Sequence, residues 1–260
     1  MPTVTVADAD VHFSLTGSGP GLIMLHGTQA GAEASWGHVV GSFGDSRTVI
    51  TPDLSGSGRT TDGGAPLSVE GLTDQVVAVA RVAAPGPVDL VGASLGAVVA
   101  AATAAHHPEL IRSLVLIAGW AHGDDVRHRL NFGLWRDLAR ADFDLFSRFG
   151  MLQGFTPGYL SALSDEGLNA VLAANLPAPG LARQIALDLQ ADIRELLPKI
   201  SARTLVIGLT RDQIVPVERS RELQAAIPGS TYAEVDSGHF AIFEKTAEMV
   251  GLIRSFLLTG

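Results

Sequence analysis

The sequence around Ser94 predicts a nucleophilic serine. This residue lies in the pentapeptide 92–96 (GASLG), which follows the β-rich run 88–91 and precedes an apolar, Ala-rich run that favours a helix. At such a sharp strand-to-helix turn a serine hydroxyl is exposed for attack on a carbonyl carbon, and the flanking glycines avoid side-chain clashes. The alternative is a serine that only caps the helix, so the choice depends on partner residues elsewhere in the chain.

A histidine and an aspartate follow two later strands and complete the set that activates a serine. His239 follows the predicted strand 231–235, and Asp212 follows the predicted strand 204–208. A hydroxyl is a poor nucleophile until an imidazole accepts its proton, and a carboxylate orients that imidazole. The chain order serine, aspartate, histidine is the one expected for a serine at this kind of turn. We predict Ser94 as the nucleophile, His239 as the base and Asp212 as the orienting acid.

Two other aspartates compete with Asp212 for the orienting role. Asp53 precedes the serine in the sequence and lies in the turn-rich stretch 52–59, and Asp236 lies at a strand end only three residues before His239. We interpret both as structural turn residues. Asp212 is preferred because its position after a buried strand and its place in the chain order both match the predicted set.

The loop after the third predicted strand supplies groups for the anionic oxygen that forms during acyl transfer. His26, Gly27 and Thr28 follow the buried run 21–25. The backbone N–H groups of Thr28 and of Leu95, the residue after the serine, are the predicted donors to this oxygen. We expect His26, with Gly27, to order the loop through hydrogen bonds rather than to exchange protons.

These residues are positioned by strands and helices that alternate along the chain. Short β-rich runs predict strands at 4–6, 11–15, 21–25, 47–51, 88–91, 113–117, 204–208 and 231–235. Helices are predicted at 69–83, 95–107, 218–226 and 242–258. The alternation predicts an α/β fold with a parallel sheet, helices on both faces and ligands bound beyond the carboxyl ends of the strands.

The β-rich runs stop between residues 120 and 200, where helix-like stretches rich in aromatic residues replace them. We therefore predict a core domain formed by residues 1–119 and 201–260 and an inserted helical cap formed by residues 120–200. Aromatic side chains in such an insertion mostly pack against one another, and some line a pocket. The predicted substrate pocket consists of Trp120, Gln29, Trp135 and Phe240.

The composition of the 260-residue chain restricts the classes of function. Its net charge of −9 and its 18 scattered Lys and Arg residues argue against nucleic-acid binding. The chain has no cysteine, and the predicted chemistry requires no metal and no cofactor. No secretory signal is visible, and the most apolar stretch, 92–106, is shorter than the roughly 20 residues of a membrane span. We expect a cytoplasmic monomer or homodimer that acts on a small molecule.

Taken together, these motifs resemble the α/β-hydrolase superfamily across nearly the whole chain. The resemblance rests on residues 26–28, 52–58 (PDLSGSG), 92–96, Asp212 and 238–239. It implies an eight-stranded, mostly parallel sheet with a helical cap inserted between strands 6 and 7. Epoxide hydrolases and haloalkane dehalogenases of this superfamily have an aspartate where this chain has the serine of its pentapeptide, so neither activity is expected.

The predicted function is hydrolysis of a carboxylic ester or lactone with an apolar or aromatic acyl or alcohol part, through an acyl-enzyme on Ser94. Hydrolysis of carbon–carbon bonds in ring-fission products is the runner-up, because the stretch 26–36 resembles the oxyanion loop of such enzymes. These enzymes usually have asparagine where this chain has Ala93. Two further alternatives are thioester release or non-hydrolytic tailoring of polyketide-like substrates, and a non-catalytic ligand receptor on the same fold.

Overall fold

The computed structural model describes residues 2–259. The eight strands within this range form one sheet. The strands are β1 (Thr3–Val6), β2 (Ala9–Gly17), β3 (Gly21–Leu25), β4 (Thr48–Pro52), β5 (Val88–Ala93), β6 (Ile111–Ile117), β7 (Arg203–Leu209) and β8 (Thr231–Val235). Their order across the sheet is β1-β2-β4-β3-β5-β6-β7-β8. β2 pairs antiparallel with β1 and β4, whereas β3 to β8 pair in parallel. The predicted mostly parallel sheet is confirmed.

Helices connect most of these strands. The α-helices of the described residues are α1 (Ala32–Trp36), α2 (Val69–Ala83), α3 (Leu95–His106), α4 (Val126–Ala141), α5 (Phe143–Gly154), α6 (Pro157–Ala162), α7 (Asp165–Ala174), α8 (Leu181–Gln190), α9 (Val217–Ala226), α10 (Ala241–Glu244) and α11 (Thr246–Leu258). Short 3₁₀ helices span Val40–Ser42 and Leu197–Lys199. Helix α2 has the predicted bounds, and the Ser68 side chain caps it by accepting a hydrogen bond from the Gly71 N–H. The single helix predicted at 242–258 is wrong, because Lys245, with φ −129° and ψ 42°, separates α10 from α11.

Hydrophobic residues form a core on each face of the sheet. Along β3, Ile23 and Leu25 belong to one cluster of buried side chains, and Leu22 and Met24 belong to another. Successive side chains of a strand point to opposite faces, so the two clusters lie on opposite sides of the sheet. Residues of α2 and α3 belong to the first cluster and residues of α11 to the second. The prediction of helices on both faces is therefore confirmed.

Between β6 and β7, where every residue is described, the chain forms the five helices α4 to α8. We call residues 120–200 the cap segment. Many of its buried hydrophobic side chains, among them Phe132, Trp135 and Leu181, belong to the same hydrophobic cluster as residues of α2 and α3. The division of the chain into a core domain and a cap domain stays a prediction. None of the helices between residues 2 and 259 combines the length and the apolar character needed to cross a membrane.

Candidate active site

Ser94 lies between β5 and α3 in a backbone conformation that few residues adopt, with φ 56° and ψ −123°. Such a conformation costs of order 1–3 kcal/mol in a residue other than glycine, so the surrounding structure must hold it. The Ser94 N–H donates to the Ile117 carbonyl at 2.9 Å, and the Ser94 carbonyl accepts from the Ala97 N–H at 2.9 Å. The turn is thus fixed on both sides. Leu95 begins α3, so its N–H has no acceptor within the helix.

The glycines on either side of this serine are required by close backbone contacts. A Cβ atom on Gly92 would lie 2.2 Å from the Gly96 carbonyl oxygen. A Cβ atom on Gly96 would lie 2.5 Å from the Leu25 carbonyl oxygen. Any side chain at either position would therefore displace backbone atoms. Because Gly96 has no side chain, the start of α3 can pack against the end of β3, where the predicted oxyanion loop begins.

The structure brings Asp212 and His239 together beyond the carboxyl ends of β7 and β8. His239 Nδ1 lies 2.6 Å from Asp212 Oδ2, and the Asp212 side chain is completely buried. The other carboxylate oxygen, Oδ1, accepts hydrogen bonds from the Ile214 and Val215 N–H groups, each at 2.8 Å. These two bonds fix the carboxylate. An aspartate held in this way favours the imidazole tautomer with the proton on Nδ1, which leaves Nε2 as the basic nitrogen.

The two competing aspartates have other partners. Asp53 Oδ2 lies 3.0 Å from His12 Nδ1, and both side chains are buried. Asp236 pairs with Arg211 at the surface, with 2.6 Å between Nε and Oδ1. Neither arrangement places these carboxylates on the His239 imidazole, so Asp212 is the acid that the geometry favours. Among residues 2–259, no three His, Asp or Glu side chains are grouped as metal ligands would be.

The loop after β3 runs beside the serine, since a Cβ atom on Gly27 would lie 3.0 Å from Ser94 Cβ. His26 is buried, and its Nε2 accepts a hydrogen bond from the Leu54 N–H at 3.0 Å. Its Nδ1 therefore carries the proton and donates to the Gly27 carbonyl at 2.8 Å. Burial lowers the pKa of His26, which favours this neutral form. Both ring nitrogens are engaged in ordering the loop, and Thr28 follows directly.

Comparison with known proteins identifies the family of this chain. Residues 20–246 match the family described as the alpha/beta hydrolase fold. The chain belongs to this family. The match includes the loop after β3, the serine turn and both residues of the aspartate–histidine pair, so all the parts of the site described above lie within the α/β-hydrolase region.

Two relatives and one solved structure are similar to this α/β-hydrolase along nearly their whole length. Pyrrolizixenacetamide deacetylase of Xenorhabdus hominickii is 40% identical over 262 residues, which cover 100% of this chain and 98% of that protein. A 2-hydroxymuconate semialdehyde hydrolase of Pseudomonas sp. strain CF600 is 30% identical over 96% of this chain and 91% of its own length. The crystal structure of an enol-lactonase from Burkholderia xenovorans LB400 has a TM-score of 0.88 and 21% identity, covering 99% of this chain and 100% of that one. At that identity the likeness shows a shared fold.

Two predicted pocket residues of this α/β-hydrolase, Trp120 and Trp135, belong to an aromatic cluster. The Trp120 ring centroid lies 5.7 Å from that of Phe132, and the Trp135 centroid lies 5.3 Å from that of Phe146. Trp120 is completely buried, and Trp135 Nε1 donates to Gln153 Oε1 at 2.7 Å. Much of this aromatic content therefore forms the interior of the cap segment. Contact of either tryptophan with a substrate stays a prediction.

The other two predicted pocket residues connect the catalytic loops to the cap segment. Gln29 Nε2 donates to the Leu176 carbonyl at 2.7 Å. The Phe240 N–H donates to the Gly154 carbonyl at 2.9 Å, and its ring packs edge-on against Phe155 with 5.0 Å between centroids. Gln29 thus joins the loop after β3 to the cap segment, and Phe240 joins the loop after β8 to it. Their place in a substrate pocket stays a prediction.

Two polar residues of α8 that contact the loop after β3 were not predicted from the sequence. Gln184 is 1% exposed and Asp188 is 0% exposed. They share one helix face with Leu181 and Ile185, because the spacing i, i+3, i+4 and i+7 brings four residues onto the same face. Burial raises the pKa of the Asp188 carboxyl to about 8, and a hydrogen bond from Thr28 opposes part of that shift. Polar residues within a buried stripe are the sequence signal that marks them.

Proposed function

We propose that this α/β-hydrolase is a serine acyl hydrolase that cleaves a carboxylic ester, a lactone or an N-acyl amide of a small, largely apolar molecule. The observation that carries the proposal is the buried contact of 2.6 Å between Asp212 and His239 at the sheet edge that also bears Ser94. The three residues follow the parallel strands β5, β7 and β8. That edge is where open α/β sheets bind their ligands.

Acylation follows from this arrangement. His239 Nε2 accepts the Ser94 hydroxyl proton while Ser94 Oγ forms a bond to the substrate carbonyl carbon. The imidazolium that results is stabilised by Asp212, whose second oxygen is held by two backbone N–H groups. The negative carbonyl oxygen of the tetrahedral intermediate accepts hydrogen bonds from the Thr28 and Leu95 N–H groups. The intermediate collapses when the bond to the leaving group breaks and His239 transfers its proton to that group.

Deacylation repeats these steps with water. His239 removes a proton from a water molecule, whose oxygen attacks the acyl carbon, and the Ser94 oxygen leaves and takes up the proton. The balance of the two halves is one water consumed, with one acid and one alcohol or amine released. A serine at the nucleophile position suits this cycle, because the acyl-enzyme that it forms can be hydrolysed by the same base.

An N-acetyl amide is the second candidate for the bond that is cleaved. It is supported by the 40% identity, over the whole chain, with a relative whose name gives an acetamide as its substrate. An amine is a poor leaving group until it is protonated, and His239 in its imidazolium form supplies that proton. Carbon–carbon hydrolysis has weaker support, since the 2-hydroxymuconate semialdehyde hydrolase is 30% identical.

The proposal is tested with a fluorophosphonate probe and a substrate panel. We expect the probe to label Ser94 in the wild-type chain, and Ser94→Ala to abolish labelling and to lower turnover by about 10³-fold or more. The panel consists of 4-nitrophenyl acetate, 4-nitroacetanilide, a γ-lactone and a vinylogous diketone, and the compound whose kcat/KM is highest relative to its uncatalysed rate of hydrolysis identifies the bond. Labelled Ser94 together with hydrolysis of the vinylogous diketone alone would transfer the assignment to carbon–carbon hydrolysis.

Ser113→Ala is the matched control for the serine substitution. Ser113 is buried in β6 near the opposite end of the sheet, and it accepts a hydrogen bond from Arg203 at 3.2 Å. We expect this variant to be labelled and to turn over substrate like the wild type. Activity that survives in Ser94→Ala would contradict the assignment of the nucleophile, whereas a wild-type chain that binds esters without turnover and without being labelled would favour a receptor.

A further inference from the structure

Helix α8 contacts the predicted oxyanion loop at two successive residues. Thr28 Oγ1 donates to the Asp188 carboxyl group, at 2.8 Å from Oδ2 and 3.0 Å from Oδ1. The next residue, Gln29, donates its backbone N–H to Gln184 Oε1 at 2.9 Å. Gln184 and Asp188 are four residues apart, so one turn of helix presents both side chains to the same loop. All of these atoms lie in the interior of the protein or at its margin, where hydrogen bonds are little weakened by water.

The loop needs such support because its backbone is strained at this point. Gln29 has a φ of 75°, a left-handed value that residues other than glycine rarely adopt. On the preceding side, His26 and Gly27 are held by the His26 ring, as described above. Thr28 lies between these two supports. The position of its backbone N–H, the predicted oxyanion donor, is therefore set from one side by the sheet and from the other by α8.

We propose that Asp188 and Gln184 are positioning residues for catalysis: Asp188 holds Thr28 and Gln184 holds the next residue, Gln29, so that the Thr28 N–H meets the anionic oxygen of the transition state. Neither side chain touches a reacting atom, and both act through the loop. The inference rests on the proposed serine-hydrolase function. It assigns to the cap segment a share in the chemical step, in addition to the substrate selection expected of it.

The same helix also carries a contact that bypasses the oxyanion loop. Arg183 Nη1 donates to the Ala65 carbonyl at 2.8 Å, and Arg183 Nη2 lies 2.9 Å from Asp62 Oδ1. These bonds dock α8 on the segment between β4 and α2. Loss of Arg183 therefore loosens the docking of α8 without removing a bond to Thr28. This makes Arg183→Ala a matched control on the same helix.

The test removes the bond between Thr28 and Asp188 from each side in turn. Thr28→Val deletes the hydroxyl with little change of shape, and Asp188→Leu replaces the buried carboxyl by an apolar group of similar size. Asp188→Asn retains an oxygen that accepts a hydrogen bond from the Thr28 hydroxyl. The measurements are kcat and KM for 4-nitrophenyl acetate and the second-order rate of labelling by a fluorophosphonate. The phosphoryl oxygen of that probe occupies the place of the anionic oxygen.

We expect Thr28→Val and Asp188→Leu each to lower kcat and the labelling rate by about 10- to 100-fold, because a misplaced donor costs this much. The double variant should be no worse than either single variant, since both remove one shared interaction. KM should change little. Asp188→Asn should restore most of the rate, and Arg183→Ala should stay within about threefold of the wild type. If Asp188→Leu fails to fold, Thr28→Val tests the same bond.

The outcomes separate this inference from the function on which it rests. If Thr28→Val and Asp188→Leu keep kcat within about threefold of the wild type while Ser94 is still labelled, the positioning role is overturned and the serine hydrolase stands. Equal losses in Arg183→Ala would also overturn it, because they would show a general need for cap docking. If the wild-type chain is not labelled and Ser94→Ala keeps its activity, both proposals fail.

Discussion

Helices α7 and α8 have the same length, ten residues each, yet they are attached to the rest of the chain in opposite ways. All ten residues of α7 are described, and none of them is buried. Helix α8 buries five, namely Leu181, Gln184, Ile185, Leu187 and Asp188. The cap segment therefore has one helix that is integrated into the interior and one that lies on the surface.

The difference shows where the cap segment is joined to the catalytic loops. Helix α8 bonds to the loop after β3 through Gln184 and Asp188. The end of α5 bonds to the loop after β8, where Gly154 accepts the Phe240 N–H, and the nearby Thr156 donates its N–H to Glu244 at the end of α10. Helix α7 lies between these two attachments in the sequence, and the residues that follow its end, Asn175 and Leu176, accept hydrogen bonds from Gln29 of the loop after β3. A change in α7 should therefore alter the surface around the site while the catalytic loops keep their positions.

The largest expected effect comes from truncating the same kind of side chain in each helix. Ile185 in α8 is 0% exposed, and Leu168 in α7 is 37% exposed. We expect Ile185→Ala to lower the free energy of unfolding by about 2–5 kcal/mol, because it removes buried methyl groups and leaves a cavity. Leu168→Ala should stay within about 0.5 kcal/mol of the wild type. Urea unfolding followed by tryptophan fluorescence measures both values.

Equal decreases of the free energy of unfolding in the two variants would contradict this difference, because they would show that α7 is as tightly packed as α8. A small decrease of the free energy of unfolding in both variants would show that neither helix of the cap segment contributes much to stability. In either case the kcat of Leu168→Ala supplies a second comparison. We expect it to equal that of the wild type, since α7 bonds to neither the serine nor the histidine loop in the described contacts.

The second prediction uses the Asp188 carboxyl. In the unfolded chain this group loses its proton near pH 4, whereas burial raises its pKa to about 8 in the folded chain. Between these values folding takes up a proton, so the contribution of Asp188 to stability falls as the pH rises. Asparagine has no such proton to lose. We expect Asp188→Asn to gain stability relative to the wild type with rising pH, by up to about 1.4 kcal/mol per pH unit below pH 8.

Urea unfolding at about pH 7 and pH 8 measures this difference. The neighbouring titratable group is His128, whose Nε2 lies 2.8 Å from the Asp188 carbonyl oxygen. Burial lowers the pKa of His128, so its imidazole is mostly neutral in both the folded and the unfolded chain above about pH 7 and adds little slope there. A stability difference that stays constant between the two pH values would show that the folded Asp188 carboxyl is already ionised at pH 7.

Features that depend on neighbouring residues could be predicted from the sequence, whereas contacts between distant residues could not. Strand-to-helix turns and helix starts depend on neighbouring residues, so the Ser94 turn and the start of α2 after Ser68 were both visible. The contact between Gln29 and Gln184 joins residues 155 positions apart, and no local pattern indicates it. The break between α10 and α11 at Lys245 has no local signal either. No glycine or proline marks it, and an amphipathic pattern continues on both sides.

The smallest expected effect concerns the N-terminal serine caps, which α7 and α2 have in the same form. Ser164 caps α7 by accepting from the Gly167 N–H, as Ser68 caps α2. Removing such a cap costs about 1 kcal/mol of helix stability. Because α2 is packed in the core, Ser68→Ala should lower the free energy of global unfolding by about that amount. The surface helix α7 opens locally, so Ser164→Ala should instead speed amide hydrogen exchange about fivefold within residues 165–174. A loss of global stability in Ser164→Ala as large as that in Ser68→Ala would mean that α7 unfolds together with the core.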